Sequence, residues 1–285
     1  MSKSRLWAVM AVLALVIGGL ALASCGDDDD DGATDTAAQT DGAPADLGLI
    51  EEGKLLVGTD TPYPPFEIGQ PPDISGYDIE VLNEVAKRLD LKVTYRDTAF
   101  DTIFRDLAQG KFDIVAAAST ILPDREQTVD FSDPYYLTPQ SLLVAEGESD
   151  IRTVDDLDGT TVGAQDGTTG EFYAQDNTEA SEVRGYPEGP DAINALRSGQ
   201  VDAVIIDFAV GRDAVQKAGG VEIAERIVTN ELYGFPVAED NDALRERVND
   251  ALAEMKEDGT FAKIYDKYFK EEPPKSVLEG THEPD

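Results

Sequence analysis

The chain has 285 residues, 58 of them acidic and 23 basic, for a formal charge of −35. So acidic a protein repels nucleic acid, and no stripe of Lys and Arg offsets the effect, so that class of partner is excluded. The single cysteine, Cys25, and single histidine, His282, allow neither a disulfide framework nor a His/Cys metal cluster, and no cofactor is called for.

At the N-terminus, Lys3 and Arg5 precede an apolar run from Leu6 to Ala23 that closes on Leu22-Ala-Ser-Cys25. A basic start, an apolar centre and small residues before a cleavage point describe a secretory signal peptide over residues 1–24. The Leu-Ala-Ser-Cys order looks like a bacterial lipobox. Its cysteine would carry lipid and anchor the protein to the outer face of the cell membrane without spanning it. The alternative is a single spanning helix, because the run is close to the roughly 18–20 residues that cross a bilayer. Residues 25–48 hold almost nothing apolar and are expected to form a disordered acidic tether, extended by repulsion among Asp27 to Asp31.

Beyond the tether, short β-rich runs alternate with amphipathic helices, which predicts an α/β fold. Leu55-Leu-Val-Gly58 reads as a strand, and Ile79, Leu82, Val85, Ala86 and Leu89 recur at helical spacing. Lys92–Tyr95 is a second strand. Ile103, Phe104 and Leu107 mark a helix that stops at Gly110, and Phe112–Ala116 is a third, fully apolar strand. The same grammar returns later. Leu107-x-x-Gly110-x-x-Asp113-x-Val115 is matched by Leu196-x-x-Gly199-x-x-Asp202-x-Val204, and Val57-Gly58 by Val162-Gly163. Two matched pairs in the same order predict two related lobes. Residues 49–143 and 234–270 are assigned to the first and 144–233 to the second. A polar tail, 271–285, carries the solvated His282.

In open α/β sheets ligands sit beyond the carboxyl ends of strands. The residues just past the matched strands are Asp60 to Phe66, Ala117 to Arg125, Gln165 to Thr169, and Asp207, so four distant segments converge on one expected cleft. Arg125 offers a fork for a small carboxylate, aided by the Thr120 hydroxyl and the backbone N–H groups near Ala118 and Thr120. Asp207, after a buried strand, offers the opposite charge for an ammonium. The plain alternatives are a surface ion pair for Arg125 and a helix cap for Asp207. Phe66 is expected to pack inside its lobe.

The run Ala117-Ala-Ser-Thr-Ile-Leu-Pro-Asp-Arg125, continuing to Phe131-Ser-Asp-Pro-Tyr-Tyr136, resembles the polar-amino-acid solute-binding proteins of ABC importers, extracellular solute-binding protein family 3. The resemblance covers roughly Leu55 to Phe269. It implies a two-lobe, type II periplasmic-binding-protein fold with two hinge strands and a ligand cleft between the lobes. It also implies a monomer that binds a free amino acid and delivers it to the transmembrane subunits of an ABC permease. Gly167-Thr168-Thr169 resembles the family's loop opening a helix, whose amides would add donors for the carboxylate. Asp60 and Tyr63 correspond to positions lining the side-chain pocket, and Phe100 to the aromatic that covers it. Asp60 disfavours an acidic ligand and favours arginine, lysine, histidine or glutamine. Gln165 faces the same pocket without deciding between them. Cyclohexadienyl dehydratases resemble this family too. An enzyme of that kind needs a proton-transfer group, for which Glu171 is the conceivable candidate. A sensor or scaffold lobe of a signalling protein is a third class.

Overall fold

The computed structural model describes residues 46–281. The expected signal peptide, Cys25, all but the last residues of the tether, and His282 lie outside the described residues.

In chain order come β1 (Lys54–Thr59), a small hairpin of β2 (Ile68–Gln70) and β3 (Asp73–Ser75), α1 (Tyr77–Arg88), β4 (Lys92–Asp97), α2 (Phe100–Ala108), β5 (Ile114–Val115) and β6 (Val129–Phe131). Then follow β7 (Tyr136–Ala145), β8 (Thr161–Gln165), α3 (Thr169–Asn177), β9 (Glu182–Tyr186), α4 (Gly189–Arg197), β10 (Ala203–Asp207), α5 (Phe208–Ala218) and β11 (Val221–Tyr233). The chain closes with β12 (Pro236–Ala238), α6 (Asp242–Glu257), α7 (Thr260–Phe269) and the short α8 (Lys275–Glu279).

Apart from the β2-β3 hairpin, the strands form two sheets, β4-β1-β5-β12-β6 and β9-β8-β10-β7-β11, one per lobe. Each has three parallel strands followed by an antiparallel one, β12 in the first and β7 in the second. The repeat in the sequence is a repeat in register. Val57 and Gly58 face Ile114 and Val115, as Val162 and Gly163 face Ala203 and Val204. The aspartates of the repeat do the same work: Asp113 Oδ2 accepts the Leu56 N–H and Asp202 Oδ2 the Thr161 N–H, both at 2.8 Å. Each pins the start of its strand pair. The matched glycines let an apolar side chain lie on the strand, since a Cβ on Gly58 would sit 2.6 Å from the Phe112 ring and one on Gly163 3.3 Å from Val201.

The helices α6 and α7 return to the first lobe. Leu244, Val248, Leu252, Phe261, Tyr265 and Phe269 share one core with Leu55, Val57, Val81 and Val85. Fully burying side chains of this size contributes about 1.5–3 kcal/mol each. Val277 of α8 is also fully buried, so the segment expected to be a polar tail packs onto the domain through this turn.

The boundary expected at residue 143 moves. Strand β7 pairs along its length with β10 and β11, so Ser141–Ala145 lies inside the second sheet. The first crossing is instead at 132–135 and the return at 234–235. Asp133-Pro134 is the break in the β-rich run, and proline cannot join a ladder there. Around these crossings the rings of Phe66, Tyr135, Tyr136, Tyr233 and Phe235 pack together; Tyr135 and Phe235 stack at 4.0 Å and Phe66 meets Tyr136 edge-on at 5.0 Å. Phe66 is fully buried in its lobe, as expected.

Candidate functional site

The carboxyl ends of β1, β5, β8 and β10 converge between the two sheets, where open α/β folds hold ligands. Asp60, Tyr63, Phe100, Ala118, Thr120, Arg125, Gln165, Thr168, Thr169 and Asp207, together with Ala117, wall one tightly closed cavity. All ten residues singled out in the sequence are thus brought together.

Arg125 opens a single 3₁₀ turn. Its Nη1 donates to the Thr120 carbonyl at 2.8 Å and its Nη2 to the Gly167 carbonyl at 3.2 Å. The guanidinium lies 4.6 Å from the Phe104 ring centre and 5.2 Å from that of Phe100, which fixes its plane. Burial draws its pKa down to about 10, so it remains a cation at neutral pH. Among the described residues it makes no surface ion pair.

Asp207 stands at the N-cap of α5, yet its side chain makes no capping bond. Its Oδ2 accepts the Tyr63 hydroxyl at 2.6 Å and its Oδ1 the Gln140 Nε2 at 2.7 Å. Burial first, and the Glu231 carboxylate second, push its pKa up to about 7. Asp60 accepts Gln165 Nε2 at 2.6 Å. Burial, with added repulsion from Asp97, Glu188 and Asp101, raises it to about 7 against that hydrogen bond. Among the described residues, the guanidinium and the two carboxylates of the cavity are therefore hydrogen-bonded to neutral partners alone.

Residues 55–271 match the bacterial extracellular solute-binding proteins, family 3. The chain belongs to this family. It is 33% identical over 232 residues to the L-cystine-binding protein TcyJ of Escherichia coli K12, covering 79% of this chain and 87% of that one. It is 34% identical over 229 residues to ABC transporter arginine-binding protein 1 of the same strain, covering 78% and 93%. An ancestral arginine-binding protein bound to arginine has the same two-lobe fold, with a TM-score of 0.72, 38% identity, and 76% and 98% of the two chains covered. The type II periplasmic-binding-protein fold expected from the sequence is the fold of this family-3 protein. Membership also places its domain outside the cytoplasm.

Two expected donors are committed elsewhere in this solute-binding protein. The Ala118 N–H points away from the cavity to Asp78 Oδ2 at 2.8 Å, with Ala118 held at a φ of 44°. The Thr120 hydroxyl donates to Glu231 Oε2 at 3.0 Å. The expected helix terminus is present: Thr168 caps α3, and the amides of Thr169 and Gly170 have no acceptor among the described hydrogen bonds. Glu171 does not reach the cavity wall, and its Oε2 accepts the Gly167 N–H at 2.7 Å.

Sequence reasoning missed Asp78, Gln140 and Glu231. Asp78 sits in the first turn of α1, where an acid reads as an ordinary partner of the helix dipole. It is fully buried, and besides Ala118 it accepts the Tyr135 hydroxyl at 2.6 Å. Burial raises its pKa to about 6. Beside it Glu67 is pushed well above the usual carboxylate range, by burial first and by Asp78 next. Gln140 and Glu231 lie on β7 and β11, where a polar residue within a strand looks solvent-facing until the pairing is known.

Proposed function

We propose that this protein is the extracytoplasmic receptor of an amino-acid ABC importer, taking up one free L-amino acid between its lobes. Arg125 grips the α-carboxylate with two parallel hydrogen bonds, joined by the amides that open α3. Asp207 takes the α-ammonium. Tyr63 and Phe100 flank the side chain, and Asp60 with Gln165 meets its far end. The observation that carries this reading is a buried guanidinium and two buried carboxylates in one cavity, with no ion-pair partner of their own among the described residues.

An amino acid supplies the missing charges on a single carbon. Asp60 adds a preference for a polar or cationic side chain, because an acidic one would set two buried carboxylates together. Arginine, lysine, histidine and glutamine fit this requirement, and cystine brings a second ammonium. A micromolar dissociation constant corresponds to about −8 kcal/mol, within reach of a ligand of about 10–12 heavy atoms.

Closure about the two crossings is a ligand-driven shift between open and closed populations, and the closed form is what the permease reads. The reading includes no chemistry on the ligand; Glu171, the proton-transfer candidate, serves instead as an acceptor for the Gly167 amide. Lipidation of Cys25 after removal of the signal peptide would keep this monomeric receptor beside its permease at the outer face of the membrane. A thermal-shift screen of the purified protein against the common amino acids tests the proposal. One or a few polar or basic amino acids should raise the melting temperature through linkage. No shift with any of them would overturn it.

A further inference from the structure

The ammonium pole contains a second carboxylate. Glu231 lies on β11, two residues before that strand leaves the second lobe, and is only 9% exposed. Its Oε2 accepts the Thr120 hydroxyl of the first lobe at 3.0 Å. Its Oε1 accepts Thr229 Oγ1 at 2.7 Å and Gln140 Nε2 at 3.0 Å. The same Gln140 nitrogen reaches Asp207 Oδ1 at 2.7 Å. One amide nitrogen therefore bridges two buried carboxylates, while Gln140 Oε1 has no partner among the described residues.

Two like charges buried this close destabilise one another unless a cation joins them. The groups that face Asp207 are the phenols of Tyr63 and Tyr233, with Tyr136 and Glu67 further off. Burial raises all three phenols well above the usual range, so they stay neutral. Arg125 is the cation whose charge is felt by both Glu231 and Asp207, and it is turned toward carbonyls.

We propose that Glu231 is a positioning residue of the site: through Gln140 and Asp207 it doubles the negative charge offered to the ligand's α-ammonium and ties that pole to the hinge. The inference rests on the reading in which Asp207 receives the ammonium. Its geometry also joins the two poles. Glu231 holds the Thr120 hydroxyl while the Thr120 carbonyl holds Arg125, so the carboxylate grip and the ammonium grip share one residue of β11.

Calorimetric titrations of L-arginine and L-glutamine between about pH 5 and pH 9 test this in the wild type, Glu231→Gln and Glu231→Asp. In the wild type, affinity should fall as pH drops through about 7, where Asp207 and Asp60 take up protons that the ligand must displace. Glu231→Gln removes the neighbouring charge, so its acid limb should move about one pH unit lower, with affinity near pH 8 reduced roughly tenfold. Glu231→Asp, which keeps the charge, should retain the wild-type limb. A merely structural role would weaken binding equally at every pH. An unshifted limb in Glu231→Gln, or the same shift in both variants, overturns the inference while the ammonium assignment stands. A wild type that binds neither amino acid overturns that assignment and the inference with it.

Discussion

The hydroxyl of Tyr63, from the first lobe, donates to Asp207 Oδ2, from the second, at 2.6 Å. This bond spans the cleft at the proposed ammonium pole, and Gln165 to Asp60 spans it at the proposed side-chain end at the same distance. In the proposed reading, Tyr63 thus links closure to the charge that would hold the ligand. In Tyr63→Phe the Asp207 carboxylate loses a hydrogen bond that favours its charged form, so affinity for the bound amino acid should fall by about 1.5–3 kcal/mol in calorimetry. An unchanged dissociation constant would show that the contact is incidental.

Arg125 should matter more. Removing a buried cation strands the ligand carboxylate, a cost on the order of 3–5 kcal/mol, or a loss of more than about a hundredfold in affinity. Arg125→Ala should therefore show no detectable binding while circular dichroism still reports the native fold. Arg125→Lys should recover only part of the affinity, since a point charge cannot reproduce two parallel hydrogen bonds.

Gly189 opens α4 in the second lobe directly opposite Tyr63. A Cβ there would lie 2.8 Å from Tyr63 Cε2 and 3.0 Å from its Cδ2. Gly189→Ala should act as a wedge that opposes closure at a cost of about 1–3 kcal/mol. Small-angle scattering should show a less compact ligand-bound state than wild type, with melting of the ligand-free protein little changed. Equal compaction in both would remove the argument.

The buried carboxylates also set how stability varies with pH. Asp60 and Asp207 titrate near 7 in the native protein but at about 3.8 when unfolded. Between those values the native state holds more protons than the unfolded state, so stability falls as pH rises from about 4 to about 7 and stays low above. The ligand-free protein should melt higher near pH 5.5 than near pH 7.5, and Asp207→Asn should flatten that slope. The increment in melting temperature from bound amino acid should run the other way and shrink toward acid.

Much of this was legible because strand ends and charge carry simple signals. The matched Gly-x-x-Asp units announced two lobes, and Asp113 and Asp202 prove to make the same contact with the strand beside them. Arg125 and Asp207 were legible as opposite charges after corresponding strands. The second carboxylate was not. Glu231 faces inward only because β11 pairs with β7, a relation between residues 136–145 and 221–233 that no local pattern reveals. The Ala118 amide was misread for a similar reason, because its acceptor, Asp78, lies 40 residues away on α1. The lobe boundary slipped because Tyr136–Ala145 is a β-rich run whose partners, not its composition, decide which lobe it joins.

The most direct test is calorimetric titration of the purified protein with L-arginine, L-lysine, L-glutamine and L-cystine, beside agmatine, which is arginine without its carboxylate. One ligand per chain should bind for at least one of the amino acids, with a dissociation constant of about micromolar or tighter, and agmatine should bind at least about a hundredfold more weakly. Failure of all four amino acids, or agmatine binding as tightly as arginine, would contradict the two-pole grip of Arg125 and Asp207.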